Sequence, residues 1–368
     1  MEVTDPTEAP REPSTRLTHA AQPVAAAASS SAAAAAVSRR RVLKFWFGAT
    51  SKLLLLIFGV SLVVFWLVSM SPVDPLQANY GSVAVQNMSA EHRAELAAYW
   101  GKNLPFWERY ISWLGSFLQG NMGISLRYNS PVSHVIWTKF INSALLLVTA
   151  WVLSGVIGFA LGVIAGAKRN RIIDRIITTS CYVLASTPTF WFGMLVLMVF
   201  AVVLGWFPAG FATPIGVSAA DVTIFDSIRH AILPAATLSV VGIANITLHT
   251  REKLIEVLET DYFKYSRARG TSQWQSIKRH GIRNIVLPAL TLQFASVAEI
   301  FGGSILVEQV FSYPGLGEAT VTAGLGSDTA LLAAISVITA TIVFCGNTIA
   351  TLLYGVVDPK IRRGGNNA

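Results

Sequence analysis

An all-α integral membrane protein with six transmembrane helices is the fold class this sequence predicts. Three observations carry the prediction. The 368 residues are 53% hydrophobic and only 13% charged, where a soluble domain carries about 25% charged residues. The apolar residues gather into runs long enough to cross a bilayer core, which takes about 20 helical residues. The basic residues, behind a formal net charge of +8, collect in short segments beside those runs. That is a topology signal, so no nucleic-acid partner is expected. Cys181 and Cys345 both lie in apolar runs, which argues against a disulfide framework.

Residues 1–43 hold prolines at positions 6, 10, 13 and 23 and an Ala/Ser tract from Ala25 to Ala36. Nothing large and apolar is available to bury, so a disordered cytoplasmic tail is expected. Arg39, Arg40, Arg41 and Lys44 then precede a first span at about 45–69. That run is too long for a cleaved signal peptide and reads as a retained anchor with its basic end inside. From Ser71 to about Asn142 the chain is polar and is expected outside. Within it Phe106, Tyr110, Trp113 and Phe117 recur every three or four residues, an aromatic stripe suited to an interfacial helix.

A second span is expected at about 143–167. Gly155, Gly158, Gly162 and Gly166 share one face of it, where small residues let another helix approach. The basic loop Lys168–Arg175 after it should be internal. The third span, about 174–204, contains Pro188, which should kink or break it. Trp206, Phe207 and Pro208 mark the outer interface. The fourth span, about 230–250, leads into a basic stretch from Asp261 to Pro288. There Tyr262, Tyr265 and Ala268 repeat at helical spacing, and Arg267, Arg269, Lys278, Arg279 and Arg283 keep the stretch positive. Gly270 should break its first short helix by taking a positive φ. Pro288 should open the fifth span, about 288–310, at the early helical position that tolerates proline. A sixth span follows at about 330–356, then a tail at 364–368. Six spans put both termini inside.

Ordered motifs narrow this reading. Asp261-Tyr262, Arg267-Ala268-Arg269-Gly270, Arg279-His280, Arg283-Asn284 and Leu287-Pro288 follow one another in the basic stretch. Leu104-Pro105, Arg109-Tyr110 and Trp113-Leu114 precede them, as do Phe190-Trp191 and Gly205-Trp206. Val307-Glu308, Val310 to Gly317 (VFSYPGLG) and Asp358 to Arg362 (DPKIR) come after. In this order they resemble the permease subunits of bacterial ABC importers. The match is to the peptide/nickel (dipeptide/oligopeptide) branch, of the type usually encoded first of two, and covers about residues 44 to 363. The glutamate of the general coupling motif is absent, with Lys264 near its place.

The resemblance implies the type I ABC importer permease fold, with an external region after the first helix and a cytoplasmic coupling helix. It implies a bacterial inner-membrane location, with both termini cytoplasmic. It assigns coupling to Asp261, Tyr262, Tyr265, Arg267, Ala268, Arg269 and Gly270, and an external gate or loop to Glu308, Tyr313, Pro314, Gly315 and Gly317. The implied partners are a second, homologous permease, two ABC ATPase subunits, an external substrate-binding lipoprotein and membrane lipid. ATP and Mg would act on the ATPases, and no cofactor is expected on this chain.

The sequence agrees on chemistry. It contains no G-x-x-x-x-G-K-[ST] to cradle phosphates, no G-x-S-x-G and no H-E-x-x-H, and its six histidines are scattered. No catalytic or metal site is expected. Gln293, Ser296, Glu299 and Gly303 are spaced to share a helix face, as are Ser239, Gly242, Asn245 and His249. A carboxylate inside a span is costly unless it meets water, protein or a partner. Asn245, Gln293, Ser296, Glu299 and Gly303 are therefore candidates for a substrate path, with a paired structural carboxylate as the competing reading. Di- and oligopeptides are the expected cargo, because a bare metal would want a His/Met cluster. A nickel or metal-chelate importer of the same family is the alternative. An ion-driven secondary transporter, the alternative of another class, would show inverted repeats or several intramembrane charges.

Overall fold

The computed structural model describes residues 22–99, 104–217 and 221–357. The Asp358–Arg362 motif, the tail 364–368 and residues 1–21 lie outside the described residues. Helix α1 (Gln22–Met70) is continuous, so the second half of the segment expected to be disordered is helical. Alanine has the highest helix propensity, and the apolar helix next to it removes the need for a new nucleus. By its contacts the chain divides inside α1, into Met1–Leu54 and Leu55–Ala368. In the first unit Leu43, Trp46, Phe47 and Leu54 are exposed.

After α1 come the short helices α2 (Pro75–Tyr80), α3 (Ser82–Asn87) and α4 (Ala90–Tyr99), and then α5 (Phe106–Leu118). The aromatic stripe of α5 packs inward. Tyr110 is buried against Phe65, and its hydroxyl meets Ser61 Oγ at 2.9 Å. A small antiparallel ladder, β1 (Ile124–Ser125) with β2 (Ser130–Pro131), leads into α6 (Val132–Ala167). This second long helix begins well before position 143.

The third apolar segment is broken. Helix α7 (Ile172–Ala185) meets α8 (Thr189–Val196), which runs on as a π-helix to Val203, at an angle of 108°. The cause is Pro188, which lacks an N–H and caps α8 with extended backbone. Helix α9 (Ile224–Glu259) starts with a capping box between Thr223 and Asp226 and carries Pro234 without breaking.

The basic stretch forms α10 (Asp261–Ala268), α11 (Gln273–Ser276) and a π-helical turn, Ile277–Gly281. It continues directly into α12 (Ile282–Ala295), so Pro288 lies inside a helix and does not open one. The reason is that helical structure already runs through the residues before it. A 46° bend at Ser296 separates α12 from α13 (Val297–Val310). Helices α14 (Leu316–Leu325) and α15 (Thr329–Val357) complete the described chain.

Among the described residues four helices are long and apolar enough to cross a membrane, or six spans result if each bent pair counts as one. The glycine face of α6 lies along α9. A Cβ on Gly158, Gly162 or Gly166 would meet Ile246, Thr250 or Leu254 at 2.9, 2.6 and 3.1 Å. Each pair is four residues on from the last, so the two helices run side by side. Thr247 Oγ1 donates to Gly158 O across the same seam.

Candidate functional site

The basic stretch is a rigid structure with one exposed face. Phe263 of α10 is buried among Val163, Leu254, Ile277 and Ile285, and so anchors the short helix to α6, α9 and α12. Gly270 adopts φ +85° as the chain turns, a conformation glycine reaches without strain. Ser266, Thr271 and Ser276 then knit the turn together. Their hydroxyl oxygens lie 2.9 to 3.1 Å apart, and Thr271 also donates to Ser266 O at 2.5 Å. Asn284 donates to the Tyr262 hydroxyl at 3.0 Å. Tyr262, Tyr265, Arg267, Ala268 and Arg269 are exposed, and the Arg269 guanidinium lies over the Tyr265 ring. Tyr262, Tyr265 and Arg269, with Lys278 and Arg279, border a cavity of about 1010 Å³.

The same end of the bundle is cross-tied. Gln273 Nε2 donates to Ala167 O, the last residue of α6, at 2.9 Å. Arg169 pairs with Glu259. Arg251 makes a two-pronged contact with the buried Asp174, at 2.5 and 2.8 Å, joining α9 to α7. A displacement of α10 would therefore reach α6, α7, α9 and α12 together.

The residues expected to line a path are brought together only in part. Asn245 on α9 and Glu299 in the first turn of α13 are exposed, and the Asn245 amide approaches both carboxylate oxygens at 3.4 and 3.5 Å. Gln293 departs from the expectation. It is buried against α6, where Nε2 donates to Trp151 O at 2.5 Å and Ser154 Oγ at 3.2 Å, and its own backbone oxygen accepts from the Trp151 indole. Ser296 Oγ turns back to Gln293 O, and Gly303 faces Leu238. The bend at Ser296 explains the departure, because helical spacing carries a face only as far as the helix continues.

The residues expected to form an external gate or loop pack into a largely buried knot. Glu308 is wholly buried, and its carboxylate accepts from Ser143 Oγ (2.7 Å), Gly317 N (2.7 Å) and Glu318 N (3.0 Å). It thereby caps the start of α14, where unpaired N–H groups favour negative charge. A Cβ on Gly315 would sit 2.4 Å from a Glu308 oxygen, and one on Gly317 2.6 Å from the Ile305 backbone. Asn142 Nδ2 donates to Pro314 O. Tyr313 is buried, and burial, with the Glu308 carboxylate second, pushes its phenol up to about 12.

Sequence reasoning missed several residues that hold this arrangement. Ser143 both donates to Glu308 and accepts from Leu316 N at 2.7 Å. Asp328, also wholly buried, accepts from Ser125 Oγ, Leu126 N and Leu331 N. Asp328 immediately before an apolar run was a legible helix-cap signal. Ser143 had none, since its partner lies far along the chain.

Comparison with known proteins gives this architecture its family. The family described as the inner membrane component of binding-protein-dependent transport systems matches residues 158–363. The oligopeptide transport system permease protein AppB of Bacillus subtilis (strain 168) is 34% identical over 307 residues, 83% of this chain and 95% of that protein. The chain belongs to this family. The di/tripeptide permease protein DppB of Pseudomonas aeruginosa (strain UCBPP-PA14) and the dipeptide permease protein DppB of Escherichia coli (strain K12) are each 31% identical over 83% of the chain and 94% of their own lengths. The all-α membrane fold expected from the sequence is therefore that of a transport-system membrane component, a multi-pass inner-membrane protein. Among the described residues no three His, Cys, Asp or Glu side chains are grouped to hold a metal.

Proposed function

We propose that the chain is one of two related permease subunits of an ATP-driven importer of di- or oligopeptides. In this reading two ATPase subunits sit beneath it, with ATP and Mg bound there, and an external substrate-binding protein delivers the cargo. Both termini face the cytoplasm, in line with the basic segments at 168–175 and 251–283. The observation that carries the reading is α10, a short, exposed, basic helix anchored by buried Phe263 between two long helices. Such an element can be pushed by an ATPase without deforming and can pass the push to α6, α9 and α12. The peptide cargo is supported by the names of the relatives. Glu299, with Asn245 beside it, supplies a negative group to the path and would meet the amino terminus of a passing peptide.

A mild-detergent pull-down of the full chain from its own cell tests the assembly. A P-loop ATPase and a second six-span permease should accompany it. Recovery of the chain alone, still moving solute without ATP after reconstitution, would overturn the reading. For the path, Glu299→Gln at normal protein level should slow uptake of peptides with a free amino terminus more than that of N-acetylated ones. Unchanged uptake of both removes Glu299 from the path.

A further inference from the structure

A second polar cavity lies far along the chain from α10. It holds about 380 Å³ and is bounded by α5, the β1–β2 ladder, the end of α1 and the start of α15. Its level in the membrane follows from two of its walls. Phe65 lies five residues from the end of α1, roughly 7.5 Å at the helical rise, and Thr329 is the first residue of α15. Both helices are long enough to cross the bilayer, so a cavity between the end of one and the start of the other sits at headgroup depth.

The lining is a set of donors without partners. Arg109 is half-buried, and burial lowers its pKa. No acidic side chain of a described residue pairs with it, and the hydroxyls of Ser112, Ser116 and Thr329 hydrogen-bond no described residue. The Trp113 indole N–H in the same wall is buried and without an acceptor among the described residues. Asp328 also borders the cavity, but its oxygens are occupied by Ser125, Leu126 and Leu331. A half-buried guanidinium that shares a cavity wall with free hydroxyls is complementary to a phosphate or carboxylate.

Helix α5 adds the membrane. Its aromatic stripe packs inward, while Trp107, Ile111 and Leu118 form an exposed apolar stripe on another face. An amphipathic helix at headgroup depth lays such a face into the lipid. Arg109 projects from that same helix into the cavity. We propose that the Arg109 cavity is a binding site for the headgroup phosphate of an anionic phospholipid, which fastens α5 to the bilayer surface. The phosphate takes the guanidinium and the Ser112, Ser116 and Thr329 hydroxyls, and the acyl chains run down beside α1 and α15. Basic pockets between membrane helices bind lipid headgroups by this chemistry. The inference does not depend on the cargo or on which side of the membrane α5 occupies.

The test is native mass spectrometry of the full chain in its assembled complex, with phosphatidylglycerol, phosphatidylcholine or inorganic phosphate added. The wild type should retain phosphatidylglycerol in preference to phosphatidylcholine. Arg109→Gln should lower that retention about tenfold, the scale of one charge-assisted contact. The Ser112→Ala/Ser116→Ala pair, which keeps the cation, should lower it less. Arg127→Gln removes an exposed arginine near the same ladder and should leave it unchanged. Equal losses in Arg109→Gln and Arg127→Gln would mean diffuse attraction and overturn the proposal. So would retention that Arg109→Gln does not alter, or displacement of the lipid by millimolar inorganic phosphate, which would make the site one for a soluble anion.

Discussion

Glu308 and Tyr313 turn the end of α13 into a fixed corner. A buried carboxylate survives only where donors replace water, and Glu308 has one hydroxyl and two backbone N–H groups. Glu308→Gln keeps the volume but turns an amide towards donors. It should cost about 2 kcal/mol, read as a lowered midpoint in thermal unfolding of the purified complex. Ser143→Ala, which also strips Leu316 N of its acceptor, should lower the midpoint as well. Tyr313 gives a pH prediction. Its phenol holds its proton to about 12 when folded and to about 10 when unfolded. The folded state thus binds more protons between those values, and stability falls as pH rises through that window. Tyr313→Phe should remove that part of the alkaline loss, seen by comparing unfolding midpoints at pH 9 and 11.

At the scale of elements, the α6–α9 seam decides how closely two spans pack. Gly162 would place a Cβ 2.6 Å from the Thr250 side chain and 2.7 Å from the Thr247 carbonyl. Gly162→Ala should therefore cost about 1–3 kcal/mol by forcing the helices apart. Gly302, on α13, has nothing within 4 Å of the same position. Gly302→Ala should be neutral or mildly stabilising, since alanine favours helix. The two variants differ only in what the added methyl meets. Equal unfolding midpoints would refute the close-packing account.

At the scale of the whole molecule, the question is whether α10 transmits. Gly270 sits at φ +85°, which proline cannot adopt, so Gly270→Pro should detach α10 from α11. Arg267→Glu reverses charge on the exposed face and leaves Phe263 in place. On the proposed function, both variants should leave ATP hydrolysis running in the assembled transporter while peptide uptake falls at least tenfold. Coupled uptake at the wild-type ratio in both would show that α10 is not the transmitting element. The Asp174–Arg251 tie belongs to the same scale, since it makes α7 move with α9.

Composition and local pattern were enough for the membrane class, the break at Pro188, the turn at Gly270 and the packing role of the α6 glycines, but not for where each long helix begins. The former follow from composition, helical spacing and the backbone limits of proline and glycine, all properties of neighbouring residues. The family motifs were likewise legible as ordered strings. Only the tertiary structure decided which polar residues face one another. Glu299 and Asn245 meet because α9 and α13 are adjacent, whereas Gln293 is claimed by Trp151 and Ser154 of α6. Glu308 caps α14 with Ser143, 165 residues earlier, beside it. The bend at Ser296 and the placement of Pro288 inside a helix also escaped the sequence, because helix geometry there is set by what α12 and α13 pack against. A side chain's partner is fixed by distant chain, and no local pattern encodes it.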